Sequence, residues 1–161
     1  MAFYKDTENK VHFLEDVAFE HLLPDGCLEI SNAEAAAIQK PTADQAKTAK
    51  WEAIKVERDH RTENGGYKVG TKWFHSDQKS RSQQLGLVLL GANIPANLQW
   101  KTMDGTFVTM TQALAQQILA SGAASDQAIF VAAETHKAAM EASGDPASYD
   151  FSGDWPATFA G

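Results

Sequence analysis

Two short stretches constrain the fold most: YKVGTKWFHSD at residues 67–77 and LQWKTMDGTFVTMT at residues 98–111. Each places two brief apolar runs around a turn signal and ends on a residue able to cap a helix. In the first, YKV and KWF flank Gly70-Thr71, a spacing that predicts a hairpin with a type II′ or I′ turn. In the second, Asp104-Gly105 supplies the turn, and Trp100, two residues past Leu98 on the same strand face, is expected to anchor the hairpin in the core. Ser76 or Asp77 then caps a helix over residues 78–90, with Leu85, Val88 and Leu89 as its apolar side, Leu87 and Leu90 nearby, and Gly91 as its stop. After the second hairpin, Thr111 caps a helix to about residue 120 that Gly122 closes. Ser125 starts a last helix over residues 126–142, whose face is Ile129, Ala133, His136 and Met140. The class is therefore α+β, with short β-hairpins alternating with α-helices. The two hairpin-and-helix units echo one another loosely, as their offset drifts along the chain.

Upstream, residues 43–62 are rich in Ala, Lys, Glu and Gln and predict a longer helix. Its face is Trp51, Ile54, Arg58 and Arg61, only half of it apolar, so Trp51 and Ile54 should pack while the arginines reach polar partners. Glu63, Asn64, Gly65 and Gly66 end that helix. The first forty residues read as a small module. A hairpin spans residues 2–5 and 11–14, the LPDG turn at residues 23–26 follows, and CLEI makes a short strand. SNAE then has capping-box spacing before a short helix. Glu15-Asp16 reads as a solvated acidic pair in a polar loop. Lys40-Pro41-Thr42 marks a boundary. The expected organisation is an N-terminal hairpin module at residues 1–42, a hairpin and helix domain at 43–143, and an aromatic arm at 144–161.

Charge narrows the functional classes. Lys and Arg total 14 against 21 Asp and Glu, a poor balance for gripping a nucleic-acid backbone. The distribution is uneven: residues 41–81 carry nine bases and six acids, residues 82–161 two bases and seven acids. The middle segment thus suits an acidic partner surface. Cys27 is the one cysteine, so no internal disulfide forms. The N-terminus lacks the basic start and apolar run of a signal peptide, and LGLVLLGA is far short of a membrane span. Both point to a cytosolic protein.

Chemistry-bearing motifs are sparse. Gly65, four residues, then Gly70-Thr71-Lys72 imitates a phosphate loop, but Thr and Lys are transposed, and the stretch follows a helix and opens a hairpin. The five histidines form no paired metal-ligand spacing, and His75 with Asp77 offers too few ligands. His136 reads as a packed, hydrogen-bonded side chain, and Cys27 as a small hydrophobe without an activating base. No catalytic residue, cofactor or metal is assigned. The arm, with Tyr149, Phe151, Trp155 and Phe159, either covers the domain's own apolar surface or docks a partner. With Arg58 and Arg61, these four residues are the candidate partner-binding set.

The stretch LPDGCLEISNAEAAAI resembles the N-terminal module of tailed-phage tail-fibre assembly proteins, with its Pro-containing turn, strand end and Ala-rich helix. WEAIKVERDHR, GGYKVGTKWFHSDQKSR, LQWKTMDGTFVTMT and the last helix resemble a phage domain of unknown function usually encoded beside tail-fibre genes, and the two parts together cover about residues 3–140. The marks are the paired Arg58 and Arg61, the step from Phe74 to Asp77, and the hairpin from Trp100 to Gly105. The Gly65-Gly66 insertion and the aromatic tail have no counterpart in that pattern. The resemblance implies a non-enzymatic bacteriophage protein in the host cytoplasm that binds a tail-fibre polypeptide. It would act as an assembly chaperone or stay in the virion on the fibre or baseplate. A small hydrolase and a regulatory binding protein are the alternatives from other classes.

Overall fold

The computed structural model describes residues 1–160 and has the α+β architecture, with helices joined by small antiparallel sheets. The chain forms two compact units, one at residues 1–45 and one from residue 46 onward.

In the first unit, β1 (Ala2–Lys5) pairs with β2 (Val11–Leu14) on one side and β3 (Leu28–Ile30) on the other. Phe3 lies opposite both Phe13 and Ile30, so the CLEI run closes a three-stranded sheet. Asp6 organises the β1–β2 connection, accepting the amides of Glu8 and Lys10 at 2.9 Å and holding His12 Nε2 at 2.9 Å. The His12 bond, with these amides, holds the Asp6 carboxyl below its ordinary range. Glu15-Asp16 is not a free loop: Asp16 accepts the Ala18 amide and caps a 3-10 turn over Val17–Leu22. Ser31 caps α1 (Asn32–Gln39) by accepting the Glu34 amide at 3.1 Å, as the capping-box spacing requires.

The second unit is built on α2 (Ala43–Asn64) and α4 (Gln112–Ala142). Between them run β4 (Tyr67–Val69), β5 (Lys72–Phe74), α3 (Gln78–Leu90), β6 (Gln99–Lys101) and β7 (Phe107–Thr109). Gly70 has φ +59° and Thr71 has no positive φ, the type II′ pattern for a two-residue turn led by glycine. The hairpins are tied together: the Met103 amide donates to the Trp73 carbonyl at 2.9 Å, and Lys72 Nζ reaches Asp104 at 2.8 Å and the Thr106 hydroxyl at 2.7 Å.

Two expectations require correction, and one refinement. Residues 112–142 are one helix, and Gly122 and Ser125 are interior to it. Gly122 is there for close approach: a Cβ would lie 3.3 Å from two ring carbons of Tyr67. That proximity explains a glycine whose helix-interior cost is about 1 kcal/mol relative to Ala. On α3 the buried positions are Gln84 and Leu87; Val88 packs half-buried against the core, while Leu85 and Leu89 face outward. Gln84 turns the helix inward because its amide accepts the Tyr67 hydroxyl and donates to the His75 carbonyl at 3.0 Å, satisfying polar groups that the interior would otherwise strand. Trp100 packs against the first core as expected, but half-buried and not fully enclosed.

Two apolar cores result. The first gathers Tyr67, Phe74, Leu87, Met110, Ala115 and Ile118. The second gathers Ile54, Ala133 and Met140. The buried face of α4 recurs at Ala115, Ile118, Gly122, Ile129, Ala133, His136 and Met140, steps of three and four for most of its length. One helical stripe therefore feeds both cores.

Candidate functional site

The second core is finished by a segment with almost no regular structure. Residues 145–160 lie along α2 and α4 as a strap, with Tyr149, Phe151 and Trp155 packed against Ile54, Ala133 and Met140. The aromatic residues expected on a separate arm are thus half-buried on the chain's own domain.

Polar bonds at buried His136 fix the strap. Its Nε2 lies 3.0 Å from the Gly153 carbonyl, which can only accept, so that nitrogen carries the proton. Nδ1 lies 3.0 Å from the Tyr149 hydroxyl, within hydrogen-bond distance. The His136 ring also stacks at a tilt on Trp155, centroids 5.0 Å apart. Trp155 Nε1 donates to the Phe151 carbonyl at 2.6 Å. Farther along, the Phe159 amide donates to the Gly65 carbonyl at 2.8 Å, and its ring meets Trp73 at 6.3 Å.

Arg61 joins this assembly. Its guanidinium lies 5.1 Å from the Trp155 ring centre, Nε holds Glu57 at 2.7 Å, and one terminal nitrogen reaches the Pro156 carbonyl. Arg58, one turn earlier, points elsewhere: it covers the Phe130 ring of α4 at 4.6 Å and pairs with Asp59. The sequence pairing of Arg58 with Arg61 therefore separates in space, while Arg61 comes together with the strap aromatics. Lys50 lies 5.5 Å over the Phe151 ring. Between strap and α2 opens a cleft of about 470 Å³, lined by Lys50, Glu57, Arg61, Tyr149, Asp150 and Phe151. Two amide and hydroxyl bonds from Ser152, with Lys50 and His136 nearby, hold the Asp150 carboxyl below its ordinary range. The cleft thus offers two cations, two carboxylates and two aromatic faces, groups suited to gripping a polypeptide.

The sequence reading missed the most connected cation. Arg81 binds both oxygens of Asp126 at 2.7 and 2.8 Å, donates to the carbonyls of Ser76 and Thr62, and lies 5.5 Å over the Tyr67 ring. Asp126 first, then Tyr67 and Glu63, raise its already high pKa further. Its partner is 45 residues away, and no local pattern announces such a pair.

Elsewhere, desolvation and the Asp6 charge push the Cys27 thiol up, away from the thiolate. Among the described residues no group of three or more His, Cys, Asp or Glu stands where it could hold a metal ion, and no helix is long and apolar enough to cross a membrane.

A family model described as Domain of unknown function (DUF4376) matches residues 45–153. No curated protein and no solved structure matches the chain. The family match opens in the first turn of α2 and stops inside the strap, so Trp155, Pro156 and Phe159 lie beyond it.

Proposed function

The chain belongs to the family described as Domain of unknown function (DUF4376); we propose that it is a non-enzymatic bacteriophage tail protein. In this reading it binds a tail-fibre polypeptide in the host cytoplasm and assists its assembly. The likeness of residues 23–38 and 51–111 to tail-fibre assembly proteins and their neighbouring phage domain supports it. The observation that carries it is the cleft between strap and α2, where Lys50 and Arg61 stand beside the rings of Tyr149 and Phe151. Aromatic and arginine side chains dominate the energetics of protein interfaces; carboxylates on a fibre segment would find Lys50, and beside it the Arg61 guanidinium that Glu57 shares.

The test is co-purification with the fibre polypeptide encoded beside it, at low and high salt. Wild type should capture the fibre. Lys50→Glu and Arg61→Glu should weaken capture, and Arg58→Glu, which lies off the cleft, should not. A cation-led contact should also weaken as the screening length shrinks to about 3 Å at 1 M salt. Equal capture by all four chains would move the contact elsewhere; no capture by wild type would remove the tail-fibre reading. Mass spectrometry of purified particles then separates a chaperone, absent from virions, from a component retained on the fibre or baseplate.

A further inference from the structure

On α4 an exposed row, Val131 and Thr135, stands between two apolar hollows. One, of about 530 Å³, lies between α4 and the strap, with Ala128, Ala132 and Ala139 on one wall and Trp155 and Pro156 on the other. The second is shallow and open to solvent, a depression on the surface of α4 itself lined by Gln127, Phe130, Glu134 and Ala138. Val131 and Thr135 line both, and Val131 is 58% exposed.

We infer that this face receives an amphipathic helix of a partner protein, one that carries Lys or Arg beside its apolar stripe. A ridge one helical turn long with a hollow on each side is what a second helix engages when its own side chains at i, i+3 and i+4 drop into grooves. The hollows span Gln127 to Ala139, about 18 Å of helix, so the partner segment need be only about three turns long.

Charge decides the sign of the flanks. Glu134 and Asp154, one at each hollow, are exposed and take part in none of the salt bridges among the described residues. Residues 127–161 hold five carboxylates and a single lysine, and that lysine, Lys137, lies 5.0 Å over the Trp51 ring. The arginines beside the two hollows are already paired, Arg58 above Phe130 with Asp59 and Arg61 above Trp155 with Glu57. Such a rim favours basic flanks and disfavours acidic ones. The cleft and this face share Tyr149, but the cleft offers Lys50 to a carboxylate while this face offers Glu134 and Asp154 to a cation, so separate variants test the two proposals.

The test uses the full chain and three synthetic 18-residue peptides: an amphipathic Leu/Lys helix, a Leu/Glu helix of the same pattern, and a scrambled Leu/Lys sequence. Binding is read from backbone and methyl NMR shifts. The Leu/Lys helix should bind, with shifts confined to residues 127–139 and Trp155. Val131→Arg should weaken it about tenfold, and Glu134→Lys or Asp154→Asn about threefold; all three positions are exposed, so the fold should be kept. Four outcomes would overturn the inference: no Leu/Lys binding up to about millimolar, shifts elsewhere, equal binding of the Leu/Glu or scrambled peptide, or Val131→Arg binding as wild type.

Discussion

The two cores along α4 are closed in different ways. The first is enclosed by regular elements: hairpin residues Tyr67 and Phe74, Leu87 of α3, and Ala115 and Ile118 of α4. Its main polar insertion, Gln84, has both ends of its amide satisfied. The second has three fully buried members, and the rest of its enclosure is aromatic side chains on an irregular strap. Regular elements satisfy their own backbone groups, so such a core rests on side-chain packing. A strap must find partners for its backbone one by one, here at His136, Arg61 and Gly65. The second core should therefore open first and most locally.

The sharpest way to break this comparison is to stop the chain after Ala147. Hydrogen exchange should then show loss of protection around Ile54, Ala133 and Met140, with protection kept around Phe74 and Ile118; uniform loss would mean that the cores are one cooperative unit. Next in size is Phe74→Ala, which should cost about 3–5 kcal/mol, because the ring is 1% exposed within rigid elements. Ile54→Ala should fall in the lower half of the ~2–5 kcal/mol range, since the strap can settle into the space. Denaturant midpoints compare the two, and a larger cost at Ile54 would reverse the ranking. Arg81→Lys keeps the charge but loses the forked bond to Asp126, and should cost about 1–2 kcal/mol by the same measurement.

The smallest effect concerns acid. Lys72 first, then the hydroxyls of Thr102 and Thr106, hold the Asp104 carboxyl far below its ordinary value. A depressed folded-state pKa adds stability that is present above the unfolded value near 4 and is lost as pH falls through the folded one. Asp104→Asn should therefore lower the melting temperature slightly at pH 7 and flatten its decline between about pH 4 and pH 2. An unchanged acid slope would show that the link between the hairpins carries no stability.

Much of the fold was legible because it is written locally. Both turns, the caps at Ser31, Asp77 and Thr111, and the face Ile129, Ala133, His136 and Met140 follow from short-range chemistry. What escaped depends on distant contacts. Gly122 reads as a stop until the Tyr67 ring, 55 residues earlier in the chain, is seen against it. Gln84 reads as a surface residue until the Tyr67 hydroxyl and His75 carbonyl claim its amide. The candidate site was half visible. The strap's aromatics stand out in composition, as do the two arginines, but only folding shows that Arg61 joins Trp155 while Arg58 leaves for Phe130.

Sharing a single helix between two cores also makes the molecule a mechanical device. α4 is 31 residues, about 46 Å, and the hairpin hydroxyphenyl ring of Tyr67 is lodged against it at Gly122 like a pivot under a beam. The strap packs on the long end and the hairpins on the short one. Measured from that pivot, the strap contacts at Ala133, His136 and Met140 lie farther along the helix than the hairpin-side contacts at Ala115 and Ile118, so a tilt about Gly122 displaces the strap side more.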